Sequence, residues 1–119
     1  MDLTKFVELL EKHPTQIATV NGNGHPNISV VADVKVLGED RILIAHNEMV
    51  KTVENIKEGR KQVCLTCFNP DWQGVRVYGE AEYFTEGGAY DKVIELFANE
   101  KTNPQGAIVV TASALNEMV

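Results

Sequence analysis

Lys51 and Thr52 stand side by side where a helix is expected to begin, just after the apolar run Arg41-Ile42-Leu43-Ile44-Ala45 and the pair His46-Asn47. The first four N–H groups of a helix have no internal partner and the dipole is positive there. A lysine is out of place at that end unless an anion stands beside it, and phosphate is the obvious candidate. The same residues also fit a plain surface helix in which Lys51 pairs with Glu48 or Glu54. Taken alone, the segment leaves both readings open.

Other constellations carry less chemistry. Cys64-Leu65-Thr66-Cys67 has dithiol spacing, but it lies in a strand pattern, where residues three apart point to opposite faces. Core packing is the better reading. His13, His25 and His46 lack the close pairing a zinc site uses, so no metal is expected. Gly22-Asn23-Gly24-His25-Pro26-Asn27 is short of a dinucleotide loop, because the third glycine is missing and Pro26 leads into a strand. No Walker lysine loop, nucleophile elbow or triad spacing is present, and no catalytic residue is assigned. Trp72 precedes a long strand, placed for core packing, for covering a planar ligand or for meeting a partner subunit. Arg76 and Tyr78 share the strand face opposite the valines, which suits either solvent or an adjacent protomer. Asp33 interrupts an apolar strand and either serves a site or faces water.

These residues need elements to position them. Leu3, Phe6, Val7 and Leu10 recur at helical spacing, Asp2 can cap the start, and Pro14 ends the pattern. Gln16–Val20 is a strand candidate, and Asn21-Gly22-Asn23-Gly24 is a hairpin turn. Ile28–Leu37 and Arg41–Ala45 follow as strands around the turn Leu37-Gly38-Glu39-Asp40. Met49, Val53 and Ile56 share one helical face, with Lys51 and Asn55 on another and Gly59 as the stop. Val63–Phe68 and Val75–Phe84 are strands broken by Asn69-Pro70-Asp71. A helix carrying Tyr90, Val93, Ile94 and Phe97 precedes a last strand, Ala107–Ala112. Six strands joined mostly by hairpins do not make a doubly wound parallel sheet, whereas a mainly β antiparallel barrel with about three short helices accommodates them and hides its edges.

Composition limits the function. The 119 residues fit one domain, residues 1–119. A formal charge of -6, with 11 Lys and Arg scattered along the chain, argues against nucleic acid or an anionic membrane as partner. No apolar run is long enough to span a bilayer. The opening Met1-Asp2-Leu3-Thr4 lacks a signal-peptide pattern and the two cysteines suit a reducing compartment, so a cytoplasmic location is expected.

Lys51-Thr52, Asn55-Ile56 one turn on, Val63 at the next strand and Gly74-Val75-Arg76-Val77-Tyr78-Gly79-Glu80-Ala81 together resemble the pyridoxamine 5'-phosphate oxidase-like FMN-binding split barrels. The order of elements agrees from Leu3 to the last strand. In size, and in the spacing of Lys35-Val36-Leu37, Lys51-Thr52 and Asn55-Ile56, the chain is most similar to the small bacterial FMN-binding proteins.

The resemblance implies a six-stranded split β-barrel and a homodimer with FMN held between protomers. Lys51 and Thr52 would hold the phosphate, supported by Asn55. Ser29-Val30-Val31 would run beside the ribityl chain and ring, with backbone groups doing much of the work. His46 and Asn47 would reach the same groove, although Asn47 serves equally well as a cap. Trp72 and Gln73 would make ring-side or cross-subunit contacts. Larger oxidases of the family carry an arginine and a glutamine where this chain has Gln73 and Gly74, and their arginine-rich substrate site has no counterpart. The expected function is therefore electron transfer or simple flavin-dependent oxidoreduction, with the redox partner or substrate unspecified, and not pyridoxamine phosphate oxidation. A deazaflavin or haem in the same barrel, or a cofactor-free dimeric binding domain, is the alternative.

Overall fold

The chain opens with a 3₁₀ turn, Leu3–Phe6, whose start is capped by Asp2: its carboxylate accepts from the Thr4 backbone N–H at 3.0 Å. The turn runs into a short helix, α1 (Val7–Lys12). In the computed structural model, which describes residues 1–118, two further helices and seven strands follow: β1 (Thr15–Val20), β2 (Pro26–Val31), β3 (Val34–Leu37), β4 (Arg41–His46), α2 (Lys51–Lys57), β5 (Gln62–Phe68), β6 (Gly74–Phe84), α3 (Gly88–Phe97) and β7 (Gly106–Met118). All ladders are antiparallel, in the order β2-β1-β5-β6-β7-β4-β3. No helix among the described residues is long and apolar enough to cross a membrane.

The sequence pattern gives six strands, and the structure has seven. The apolar stretch from Ile28 to Leu37 breaks at Ala32-Asp33 into β2 and β3, which lie at opposite ends of the strand order. Two residues thus carry the chain from one edge of the curled sheet to the other. Neither is Gly or Pro, so the one local mark of the break was Asp33 interrupting the apolar run. The last strand also runs beyond Ala112, to Met118, because β6 offers a long partner from Gly74 to Phe84. A register shift between Tyr78 and Gly79 bends that ladder.

The inside of the curl is filled by Ile17, Val31, Ile44, Leu65, Val77 and Val110, together with Leu10 from α1 and Val53 and Ile56 from α2. A smaller cluster lies on the outer face: α3 packs Val93 onto Leu43, Ala45 and Ala107 of β4 and β7. Burying Val93 fully is worth roughly 1.5–3 kcal/mol. The cysteines behave as strand geometry demands. Cys67 is buried, with its thiol facing the carbonyls of Leu9 and Pro14 at 3.2 and 3.3 Å, whereas Cys64 points outward, half-buried, and both are free.

Among the described residues no such helix packs on the outer face of β2, β1, β5 and β6. Register aligns Ile28, Ala18, Cys64 and Tyr78 in one row across those four strands. Ile28 is 69% exposed, and Val30 further along β2 is 64% exposed. A contiguous apolar row open to water calls for a cover.

Candidate functional site

β2 alternates two jobs. Asn27 and Ser29 turn toward α2, while Pro26, Ile28 and Val30 turn outward. Thr52, fully buried on α2, accepts from the Asn27 side-chain N–H at 3.0 Å and lies 2.6 Å from the Ser29 hydroxyl. Two hydroxyls share one hydrogen bond there, so one hydroxyl proton has no acceptor among the described residues. Since Thr52 is sealed and Ser29 is half-buried, the proton left over belongs to Ser29, with Asn27 and Thr52 polarising its hydroxyl. Asn55, one turn on, donates to the Thr19 hydroxyl at 2.9 Å and fastens α2 to β1.

Lys51 extends into solvent and meets Glu54 at 3.4 Å, the ordinary surface pair that its sequence position allowed. No side chain caps α2 at Val50, and the helix has only seven residues. What this corner presents is the Ser29 hydroxyl and the exposed charge of Lys51 rather than a long helix dipole.

His46, at the end of β4, is buried between two partners. Its Nε2 lies 2.6 Å from the Met49 carbonyl and its Nδ1 lies 2.6 Å from the Tyr83 hydroxyl. A carbonyl only accepts, so Nε2 donates, and in the neutral ring Nδ1 accepts from Tyr83. His46 thereby fixes the turn that leads into α2. Burial pushes the Tyr83 phenol above its ordinary range, with the neighbouring Tyr90 phenol adding to the shift.

A groove of about 440 Å³ opens where the end of β2 faces this turn, within the ~300–1,000 Å³ usual for small-molecule sites. Val30, Val31 and Ala45 give it apolar surface; Asn47, Glu48 and Lys101 give it polar groups. The Asn47 side-chain N–H donates to the Asp33 carboxylate at 3.0 Å, and its main-chain carbonyl accepts from the Gln105 amide at 2.6 Å. Asn47 Oδ1 is screened from solvent and has no partner among the described residues. β2 is also an edge strand, so one side of its backbone lies outside the ladder.

Of the residues expected from sequence, Ser29 and Thr52 come together, and Val30, Val31 and Asn47 line the groove. Lys51, His46 and Asn55 stand on the turn and helix beside them. Trp72 and Gln73 are held elsewhere, at the β5–β6 hairpin. Trp72 is 73% exposed at φ 63°, left-handed for a bulky residue, and the Asn69 side chain accepts from the N–H groups of Asp71 and Gln73 to hold the turn. Gln73 lines a larger cavity of about 620 Å³ with Lys5, Phe6 and His13, which lacks the groove's unpartnered acceptor. Gly74 has a packing cause: a Cβ there would overlap the Phe68 ring, which also packs edge-on to Trp72.

Asn27, Tyr83 and the loop residue Lys101 also border this candidate site and were not assigned to it from sequence, whereas Asp33, left open there between a site and solvent, holds Asn47. Asn27 carried a usable signal, since it lies two residues before Ser29 and so shares its strand face. The groove offers aliphatic walls, an edge-strand backbone and an unpartnered amide oxygen, and the Ser29 hydroxyl and Lys51 stand on the neighbouring corner of β2 and α2. Those parts fit a planar cofactor with a phosphate tail, as FMN is.

A family model described as pyridoxamine 5'-phosphate oxidase matches residues 3–117. The chain belongs to the pyridoxamine 5'-phosphate oxidase-like family. An uncharacterized protein from Methanocaldococcus jannaschii is 35% identical over 111 residues, covering 89% of this chain and 73% of the relative. Among solved structures, HupZ of Group A Streptococcus superposes with a TM-score of 0.85 at 20% identity, over 99% of this chain and 94% of that one. An FMN-binding protein from Syntrophomonas wolfei gives 0.82 at 23% identity, over 98% and 86%. An F420 reductase gives 0.71 at 22% identity, over 92% and 94%. At these identities the structural likeness establishes the split-barrel fold of the family.

Proposed function

We propose that this chain binds FMN in the groove beside β2, at the interface of a homodimer, and acts in electron transfer or as a simple flavin-dependent oxidoreductase. The observation that supports the reading is the Asn27–Thr52–Ser29 array, which ends in a hydroxyl proton with no acceptor among the described residues and stands next to the exposed cation of Lys51. Charge-assisted bonds from such donors suit a phosphate dianion. Val30 and Val31 exclude water from one side of a planar ring, and the free edge of β2 offers backbone groups to its polar rim.

When bound, FMN supplies the redox chemistry, and the protein positions and tunes it. His46 keeps the turn before α2 in one shape through Met49, and Asn55 keeps α2 seated on β1. The bare outer row of Ile28, Ala18, Cys64 and Tyr78 suits a second copy of the chain, which would bring another hairpin with Trp72 and Gln73 toward the groove. In a reducing cytoplasm Cys64 and Cys67 stay thiols.

The family relationship to an F420 reductase supports a second reading, a deazaflavin in the same groove. Purified protein is expected to be yellow, and the released cofactor to have the mass of FMN. A deazaflavin or haem mass would replace the first reading; colourless protein that ignores added FMN would overturn it.

A further inference from the structure

We propose that Asp33 and Asn47 form a donor-reading pair, in which Asp33 fixes the Asn47 amide and Asn47 Oδ1 accepts a hydrogen bond from an N–H or O–H of the ligand. The inference rests on the groove being the flavin site and names how that site distinguishes its ligand. Asp33 lies in the two-residue junction between β2 and β3, where its main-chain carbonyl accepts from the Ala45 N–H at 3.0 Å. The junction is thereby anchored to β4, one strand-end residue before His46 and Asn47. From there the Asp33 carboxylate receives the Asn47 amide N–H at 3.0 Å. An ionised carboxylate only accepts, so it selects the NH₂ side of the amide and leaves the oxygen pointing away from it.

Gln105 closes the other side. Its backbone N–H donates to the His46 carbonyl at 2.7 Å and its side-chain amide to the Asn47 carbonyl at 2.6 Å. Asn47 is therefore held through both backbone and side chain, yet its Oδ1 has no partner among the described residues and water does not reach it. Native structures leave few screened acceptors unpaired. A residue this firmly oriented, lining a groove with one lone pair set unspent, is preorganised for a donor that arrives with the ligand. Met49, with an unbranched and adaptable side chain, lines the same groove.

A flavin nucleotide has donors of two kinds, the imide N–H of the ring and the hydroxyls of the ribityl chain. Titration of the full-length wild type with FMN, with N3-methyl FMN and with FMN deoxygenated at each ribityl carbon in turn separates them without altering the protein. The analogue lacking the donor that Asn47 reads is expected to bind about tenfold more weakly than FMN. In Asn47→Leu that difference should disappear, while affinity for FMN itself falls to the level of the analogue. Asp33→Asn, whose carboxamide accepts either orientation of Asn47, should reduce the discrimination to a few-fold. Wild type that binds FMN and every analogue equally, or Asn47→Leu that weakens all of them by one common factor, overturns the inference alone. Wild type that binds no FMN overturns the flavin reading and the inference with it.

Discussion

The Tyr83 hydroxyl lies 2.6 Å from Nδ1 of His46, and so connects β6 to the end of β4 at the point where the chain turns toward α2. The ring passes the constraint on, because its other nitrogen holds the Met49 carbonyl at 2.6 Å. Tyr83→Phe removes the hydroxyl and leaves a buried imidazole nitrogen unpaired. An expected loss of about 1–3 kcal/mol follows, read as a lower urea midpoint. An unchanged midpoint would mean that the His46 ring finds another partner.

The same phenol makes stability pH-dependent on the alkaline side. Its folded pKa is raised above the ordinary 10.0 by burial and then by Tyr90, so the neutral form is the one the fold favours. The contribution is fully present below the ordinary value and is lost as pH rises through the raised one. Wild type should therefore lose stability faster than Tyr83→Phe across that alkaline range. Parallel curves for the two proteins would remove Tyr83 from the explanation.

Gly106 opens β7 directly against Tyr83, and a Cβ there would overlap the Tyr83 hydroxyl and ring. Gly106→Ala must push Tyr83 away from His46, with an expected destabilisation of about 1–3 kcal/mol. In a double-mutant cycle with Tyr83→Phe the two losses should fall short of additive, since both disturb one contact. Full additivity would show that Gly106 matters for some other reason.

At the proposed phosphate corner, Ser29→Ala removes the half-buried hydroxyl beside Thr52 without disturbing a buried apolar contact, and an approximately tenfold loss of FMN affinity is expected. Lys51→Ala should weaken FMN in a salt-sensitive manner, because its side chain is exposed and its charge screened. Binding of riboflavin, which lacks the phosphate, should respond to neither change. If riboflavin loses as much as FMN, the phosphate sits elsewhere.

The uncovered face of β2, β1, β5 and β6 carries a prediction about assembly. Ile28→Glu places a charge in the middle of the apolar row and should convert dimer to monomer in sedimentation experiments. Cys64, in the same row, should then react faster with a thiol reagent, while Cys67 beneath the sheet stays slow in both forms. A wild-type monomer, or a variant that remains dimeric with Cys64 still protected, contradicts a contact through this face.

What the sequence disclosed follows the range of each rule. The Asn21–Gly24 hairpin, the left-handed Gly59 after α2 and the opposite facing of Cys64 and Cys67 depend on a few neighbouring residues, and each is as the pattern requires. The break at Ala32-Asp33 depends instead on which strands lie at the sheet's two ends, a fact spread over the whole chain. Thr52 was legible as polar at a helix start, but not as sealed behind Asn27 and Ser29. Tyr83 looked like one more alternating strand residue until β4 placed His46 beside it. Lys101 gave no local signal, since only the fold brings the loop after α3 to the groove.

The junction at Ala32-Asp33 has a mechanical consequence. Because β2 and β3 share no ladder, the curled sheet has a seam across which it can open slightly without breaking a strand–strand hydrogen bond. A ligand in the proposed groove would bridge that seam like a keystone. Loading should therefore slow amide exchange in β2 and in the Asp33–Asn47 corner more than in β5 or β6, which are already gripped on both sides.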